Sequence, residues 1–174
     1  MIYMIKDNNY KIKRMVINFY LFLILLMIFF IVFLERKTFA KGDLTRLSPI
    51  EVEVLMKGKK GSVHYFEPSV LKFETGKLYK LEIKNISDTK HYFTSSDFVN
   101  SIFTRKVQVI KGKNKIAEIK GYIREVEVFP KNIVEWWFVP LKTGTFDDLF
   151  CKVFDKKSRK THKEMGMVGT IIIE

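Results

Sequence analysis

The chain has 174 residues, which leaves room for one domain and a short additional segment. Its formal net charge at pH 7 is +12, and a surface of this kind favours acidic proteins, anionic lipid or nucleic acid as partners. The single cysteine excludes a disulfide within the chain and leaves one thiol to be explained.

The first predicted element is an apolar helix near the N-terminus. Residues Val16 to Leu34 form a run of 19 in which Asn18 is the only clearly polar member. As a helix this run would extend ~28 Å, which matches the ~30 Å hydrocarbon core of a bilayer. Basic residues precede it, as expected when the N-terminus stays in the cytoplasm: Lys6, Lys11, Lys13 and Arg14. We therefore expect a transmembrane helix that places the rest of the chain on the extracytoplasmic side.

A cleaved signal peptide is the alternative interpretation of this segment. Thr38 to Ala40 offers a small-x-small cleavage site, and cleavage after Ala40 would release a periplasmic protein. The long apolar run favours an uncleaved anchor. In both cases residues 1–40 are a membrane or signal segment and residues 41–174 a separate domain. That domain has 25 Lys and Arg against 17 Asp and Glu, a net charge of +8, and its location makes nucleic acid an unsuitable partner.

The domain is predicted to be all-β. From Ile50 onward the apolar residues alternate or form short runs, and Gly, Pro and Asn separate these runs. About seven short strands with such punctuation are typical of an antiparallel β-sandwich. The clearest predicted strands are Ile50–Met56, Val70–Phe73, Leu78–Ile83, Ile133–Val139, Gly144–Cys151 and Val168–Ile173.

Two segments between these strands differ from the β pattern. Ser96 to Arg105 has apolar residues at helical spacing, and Ser95 or Ser96 could cap its N-terminus. We therefore expect a short helical insertion there. Lys111 to Lys120 is basic and weakly patterned, which predicts a hairpin on the surface.

The C-terminal segment combines Cys151, His162 and two methionines within a few residues. A thiolate and an imidazole can form the nucleophile–base pair of a cysteine protease, but such a cysteine lies near a helix N-terminus or in an electropositive pocket. Cys151 instead ends a predicted strand. An inert core cysteine is the second possibility, and the neighbouring histidine and methionines favour a third, a metal site.

These residues and their spacing resemble the cupredoxins, the blue-copper family. His91 follows a strand and a turn, Gly144-Thr145-Phe146 opens the strand that ends at Cys151, and His162 is followed at family spacing by Gly166-Met167. The resemblance covers roughly Ile50 to Glu174 and is closest to the bacterial membrane-anchored or periplasmic branch. It implies a Greek-key β-sandwich of the plastocyanin and azurin type.

The resemblance also implies the ligands of one copper ion. His91, Cys151 and His162 would be equatorial and Met167 axial, and this mixture of imidazole, thiolate and thioether serves both oxidation states of copper. Met165 is a second nearby thioether, although the family spacing selects Met167. His64 lies in a similar local sequence, VHYF against HYFT at His91, but precedes two whole strands. We expect it to be a surface or half-buried structural residue.

Other metal centres suit the residues less well. Two histidines and a cysteine could bind zinc, but zinc sites rarely include methionine. A dinuclear copper centre of the oxidase type needs two cysteines, and the chain has one.

Two departures from the family pattern need explanation. The loop between Cys151 and His162 holds ten residues, five of them basic, and closing it adds only ~0.7 kcal/mol over a short loop. Such a loop could loosen or expose the site, or form a docking surface for an acidic partner. Phe146 and Cys151 are also separated by an odd number, which puts them on opposite faces of a regular strand. A β-bulge around Asp147 and Asp148 would return both to the interior.

The sequence thus predicts a membrane-anchored, extracytoplasmic protein that binds one copper ion and transfers single electrons. The alternative is storage, delivery or resistance to copper without redox turnover. A third possibility is a cupredoxin fold used only for protein interaction. We expect an electron carrier or copper-binding protein, not an enzyme.

Overall fold

The computed structural model describes residues 2–34 and 43–174, with side chains for 10–30 and 43–174. The chain divides into two compact units, Met1–Asp43 and Leu44–Glu174. The candidate cleavage site at Thr38 to Ala40 and the predicted boundary after residue 40 lie outside the described residues.

The first unit contains the helix α1, Ile2–Leu34. It begins well before the predicted Val16, because no glycine or proline interrupts the basic segment that precedes the apolar run. The segment Tyr10–Phe30 is long enough and apolar enough to cross a membrane. All its side chains are exposed within the structure, as lipid-facing side chains would be.

The second unit is a β-sandwich. Its strands are β1 Ile50–Gly58, β2 His64–Glu67, β3 Val70–Phe73, β4 Tyr79–Asn85, β5 His91–Thr94, β6 Ile102–Lys111, β7 Asn114–Ile119, β8 Glu125–Val128, β9 Ile133–Pro140, β10 Gly144–Phe150, β11 Phe154–Asp155, β12 Lys160–Thr161 and β13 Val168–Ile173. One sheet has the order β2-β1-β4-β9-β6-β7 and the other β3-β13-β10-β5-β8, while β11 and β12 pair only with each other.

The sheets are mixed, not purely antiparallel as predicted. β1 pairs in parallel with β4, and β3 pairs in parallel with β13. The parallel pairing of β1 and β4 arises because the chain leaves the first sheet to form β3 in the second and then returns. The all-β sandwich itself is confirmed.

The predicted strands are present, with ends shifted by two residues at most. The strands that prediction missed include β2, β5 and β8, each of four residues, which is too short for a period to be recognised. The predicted surface hairpin at Lys111–Lys120 is formed by β6 and β7, and every residue of β7 is exposed.

The predicted helix from Ser96 to Arg105 is only partly correct. The helix α2 covers Ser96–Val99, and Ser95 caps it by accepting a hydrogen bond from the backbone N–H of Phe98. From Ile102 the chain belongs to β6, whose pairing with β9 begins opposite Pro140. Sheet pairing therefore overrides the helical spacing beyond the first turn.

The core lies between the two sheets and is rich in aromatic side chains. The ring centroids of Phe98 and Phe138 are 5.1 Å apart at 90°, and Phe73 lies at the same distance from Phe138. This apolar cluster also includes Cys151 and Met167. Two of the four candidate ligands, Cys151 and Met167, are therefore part of the core.

The predicted β-bulge in β10 is confirmed. Phe146 pairs with Ile171 and Leu149 with Gly169, so β10 advances three residues where β13 advances two. The extra residue lies at Asp147 or Asp148, as expected. Beyond the bulge, Leu149 and then Cys151 are fully buried.

Candidate metal centre

Separate elements bring His91, Cys151 and His162 to one end of the sandwich. His91 is the first residue of β5, and Cys151 directly follows β10, which pairs with β5 through Phe150 and Thr94. His162 follows the short hairpin formed by β11 and β12. The exposed fractions of the three side chains are 0%, 0% and 1%.

Their donor atoms form a compact triangle. The Nδ1 atoms of His91 and His162 are 3.0 Å apart, and the Cys151 Sγ lies 3.7 Å from the first and 3.5 Å from the second. Metal–nitrogen bonds of ~2.0 Å and a metal–sulfur bond of ~2.3 Å in a trigonal arrangement give sides of ~3.5 and ~3.7 Å. The observed sides agree within about 0.5 Å, so the residues fit one ion.

The turn before β5 fixes the orientation of His91. Its Nε2 lies 2.8 Å from the Ser87 hydroxyl, which in turn lies 2.7 Å from the Asn85 side-chain oxygen. Asn85 is held by donating to the carbonyl of Val128 at 2.8 Å. When Nε2 carries the ring proton and donates it to Ser87, Nδ1 keeps its lone pair toward the triangle. Ser87 and Asn85 were missed by sequence reasoning, which identified only a turn there.

The sulfur of Cys151 is shielded from solvent and held in position by a backbone hydrogen bond. The backbone N–H of Tyr92 donates to its Sγ at 3.3 Å. Burial raises the pKa of the thiol, and the N–H groups of Tyr92 and Val153 only partly offset this. A thiol with a raised pKa is a poor nucleophile, which argues against the cysteine-protease interpretation.

The two candidate imidazole ligands are neutral at physiological pH. Burial, with the neighbouring rings of His162 and His64, lowers the pKa of His91 to about 3. Burial and His64 lower the pKa of His162 to about 4, against an opposing effect of Asp155. Neutral imidazoles have the free lone pairs that a metal requires.

The two methionines differ in their surroundings. Met167 is fully buried, donates its N–H to the His162 carbonyl at 2.8 Å and accepts the N–H of Cys151 at 3.2 Å. Met165 is half-buried, and its sulfur accepts a hydrogen bond from the Ser158 hydroxyl at 3.1 Å. Of the two, Met167 therefore lies in the interior with the other candidate ligands.

The ten-residue loop from Lys152 to Thr161 is folded as the β11–β12 hairpin. The carboxylate of Asp155 accepts N–H groups from Gly61 and Lys157, both at 2.6 Å, and from Ser158 at 3.0 Å. At the base, the N–H of His162 donates to the carbonyl of Val153 at 2.8 Å. The added length is thus taken up in a hydrogen-bonded hairpin that leaves Cys151 and His162 anchored.

The expectation for His64 was wrong. Its side chain is fully buried, and its ring stacks on that of His162 with centroids 3.8 Å apart and planes 16° apart. His64 faces inward because Phe66, two residues on in β2, belongs to the core. Among the described residues, His64, His91 and His162 each have one ring nitrogen in a group whose members all lie within 4.8 Å of one another. The sequence signal was available: His64-x-Phe66 repeats the pattern of His91-x-Phe93.

Both ring nitrogens of His64 lack a hydrogen-bond partner within the described part of the chain. The nearest charged atom is Oδ2 of Asp155, 3.9 Å from Nε2. Burial lowers the pKa of His64, and the charges of Asp155 and Asp88 oppose this. A buried unpaired polar group costs about 1–3 kcal/mol, so this ring needs an explanation.

No protein-family model matches the sequence, and no curated protein was found to be related to it. Solved structures are similar at low identity. A multi-copper oxidase from Pediococcus acidilactici is 17% identical with a TM-score of 0.51, covering 73% of this chain and 26% of its own. The copper nitrite reductase of Nitrosomonas europaea is 10% identical with a TM-score of 0.51, covering 77% and 52%. An auracyanin from Roseiflexus castenholzii is 14% identical with a TM-score of 0.41, covering 73% and 99%.

The chain thus spans between a quarter and about half of the oxidase and reductase chains. Because the sequence identities are low, the likeness establishes the fold alone. Two sheets in Greek-key order, with the candidate ligands gathered at one end, agree with that likeness. The domain that follows the apolar helix therefore has a cupredoxin-like fold.

Proposed function

We propose that the protein binds one copper ion through His91, Cys151 and His162, with Met167 as the axial ligand, and carries single electrons. The observation that carries the proposal is the buried triangle of two imidazole nitrogens and one sulfur, sized for one ion. The mixture of soft sulfur and imidazole favours copper over zinc or magnesium. The solved structures of similar fold that name a metal name copper.

Bound copper would supply a couple between Cu(II) and Cu(I). The chain holds the donors in one arrangement for both states: the Tyr92 N–H donates to Cys151, and Ser87 fixes the ring of His91. Cys151 must lose its proton on binding, and the raised pKa of the thiol makes binding weaker as pH falls. Because the ligands are attached to paired strands, little rearrangement is required when the charge changes.

A carrier is favoured over an enzyme and over copper delivery. The three triangle residues have exposed fractions of 0–1%, so a substrate or a receiving ligand has little direct access to the ion. Electrons do not need such access. We therefore propose electron transfer as the function and metal handling without redox turnover as the alternative that experiment must distinguish.

The location and partner are part of the same proposal. We propose that α1 anchors the protein in a membrane with residues 41–174 on the extracytoplasmic side; cleavage after Ala40 would instead leave it periplasmic. The hairpin beside His162 carries four exposed basic residues, Lys156, Lys157, Arg159 and Lys160. These suit an acidic redox partner that approaches the site at this end.

The test is the visible and paramagnetic-resonance spectrum of the copper-loaded full chain in detergent. Electron transfer predicts an intense thiolate-to-copper absorption and reversible reduction. A colourless protein that binds only Cu(I) would support metal handling. Cys151→Ala should abolish copper binding, and an unchanged stoichiometry in that variant would refute the ligand set.

A further inference from the structure

His64 is the buried group that the proposed ligand set does not use. It lies on β2, in the opposite sheet from His91, with its side chain fully buried. Gly58, its pairing partner on β1, leaves room for the ring: a Cβ there would lie 2.3 Å from Nδ1 of His64. Since the φ of Gly58 is +139°, a side chain at this position would also strain the backbone. The site for the His64 ring is therefore built into the fold.

The angle between the rings of His64 and His162 shows whether both can bind the same ion. An imidazole binds a metal in the plane of its ring, at ~2.0 Å from nitrogen. The rings of His64 and His162 are nearly parallel, 16° apart, with centroids separated by 3.8 Å. An ion in the plane of His162 would lie well out of the plane of His64. His64 as placed therefore supports His162 and does not bind the same ion.

Hydrogen bonds at the base of the hairpin hold the backbone of His162, and side-chain contacts are left to fix the plane of its ring. His162 follows the ten-residue insertion, so its backbone is reached through the β11–β12 hairpin. Asp155, in that hairpin, accepts the N–H of Gly61, which lies in the turn just before His64. The β1–β2 turn thus contacts the hairpin through Asp155 and the ligand through the ring of His64.

We propose that His64 is a positioning residue: its flat ring, packed against His162, fixes the plane of that ligand so that Nδ1 faces His91 and Cys151. This inference rests on the proposed function only in treating His162 as a ligand. It predicts that what matters at position 64 is a flat ring and not a nitrogen.

Two substitutions separate these roles. His64→Phe keeps an aromatic ring and removes both nitrogens, while His64→Gln keeps a polar donor and removes the ring. Tyr65→Gln is the matched control, because Tyr65 is exposed on the outward face of the same strand. In the metal-free full chain, nuclear magnetic resonance should show ring-current shifts of the His162 ring protons in wild type, His64→Phe and Tyr65→Gln. In His64→Gln these shifts should fall to the contribution of the tilted His91 ring, whose centroid lies 4.8 Å from that of His162.

The copper-loaded proteins give the second measurement. Cu²⁺ affinity, measured by competition with a chelator, should fall about 10-fold or more in His64→Gln, with a changed paramagnetic spectrum. His64→Phe should restore both toward wild type. Equal loss in the two variants would show that the nitrogens matter and would overturn the proposal, as would no change in either.

The metal-free measurement keeps the two proposals distinct. A wild-type chain without ring-current shifts at His162 overturns the positioning role, whether or not copper binds and whether or not the variants fold. Ring-current shifts in a chain that takes up no copper would refute the proposed function and leave the stacking intact.

Discussion

At the scale of single residues, the centre is a set of neutral donors kept from water. His91, His162 and Cys151 all have pKa values shifted toward the uncharged form, and burial is the first cause in each case. Neutral rings can bring their Nδ1 atoms to 3.0 Å from each other, whereas two imidazolium ions would repel each other at this distance. The pocket is therefore organised before a metal arrives, at a cost that depends on pH.

That cost predicts acid sensitivity of the metal-free protein. The folded pKa values of His91 and His162, about 3 and about 4, lie below the unfolded value of 6.5. As pH falls below 6.5 the two histidines become protonated in the unfolded chain but stay neutral in the folded chain. The free energy of unfolding therefore decreases. Between pH 7 and 5 each histidine should remove about 2 kcal/mol. Urea unfolding at the two pH values measures this loss.

The comparison variant is His91→Gln, which removes one of the titrating rings. Its stability should change less between pH 7 and 5 than that of the parent chain. An equal pH dependence in the two proteins would show that His91 takes up its proton equally in the folded and the unfolded chain, so that its pKa is not lowered by folding.

A second prediction concerns the residue behind His91. Ser87→Ala removes the hydroxyl that lies 2.8 Å from Nε2 and frees the ring to change its tautomer. Copper affinity should fall about 10- to 100-fold, as found when outer partners of metal ligands are removed. Chelator competition measures the change.

Ser101→Ala is the matched control for this substitution. Ser101 is also buried, but its hydroxyl donates to the carbonyl of Asp97 beside α2. Its loss should leave copper affinity unchanged. If both serine variants lost affinity equally, a general effect on folding would be the better explanation.

At the scale of elements, two irregularities place the sulfur and the second imidazole. The bulge in β10 turns Cys151 inward, and the β11–β12 hairpin absorbs the long loop before His162. Neither is a packing element of the core. Both are local departures from a regular strand or a short loop that bring a donor atom to the triangle.

The bulge in β10 predicts how deletion of one residue would change the direction of the Cys151 side chain. Deleting Asp147 would restore a regular two-residue alternation and turn Cys151 to the face opposite the core. The variant should lose copper binding and the thiolate absorption while keeping the far-ultraviolet spectrum of a β protein. Absorption spectroscopy of the copper-loaded chain tests this.

A deletion in the hairpin tip is the control. Lys156 is exposed in the loop between Cys151 and His162, and its removal also shortens the chain by one residue. This variant should still bind copper. Retention of the thiolate absorption after deletion of Asp147 would show that the register of β10 does not determine the direction of Cys151.

At the scale of the whole molecule, the chain combines an apolar helix with a basic β-domain, and each forms its own compact unit. The helix is long enough for a bilayer, since Tyr10–Phe30 spans 21 residues. A continuous apolar run and alternating strands have patterns that need no tertiary information, so the helix and the β-domain could be predicted from the sequence as types of element.

The site was only partly predictable, for a physical reason. Cys151 and His162 stand out through residue type and spacing, and the odd separation from Phe146 was enough to predict the bulge. The repeated His-x-Phe pattern could have indicated that His64 is buried, but its contact with His162 depends on how β2 pairs with β1, which the pattern does not specify. Ser87 acts through the geometry of one turn, which a sequence pattern does not specify.

The division into units predicts the behaviour of a truncated chain. Residues 41–174 without the helix should remain in the soluble fraction and bind copper with the affinity and spectrum of the full chain. The full chain should stay with membranes after alkaline carbonate extraction. Release of the full chain by carbonate would contradict an integral anchor, and loss of the spectrum on truncation would contradict independent folding.

The hairpin after Cys151 has one further consequence, which concerns how such a protein can change over generations. Backbone hydrogen bonds join Cys151, His162, Lys163 and Met167 at its base, so the proposed ligands are held by each other and not by the tip. Loop tips with exposed polar residues tolerate substitution and insertion. Mutations at Lys156 and Lys157 can therefore alter the charge and shape presented to other molecules at little risk to metal binding. The fold thus separates the hairpin tip, where substitutions are tolerated, from the hydrogen-bonded base that holds Cys151 and His162.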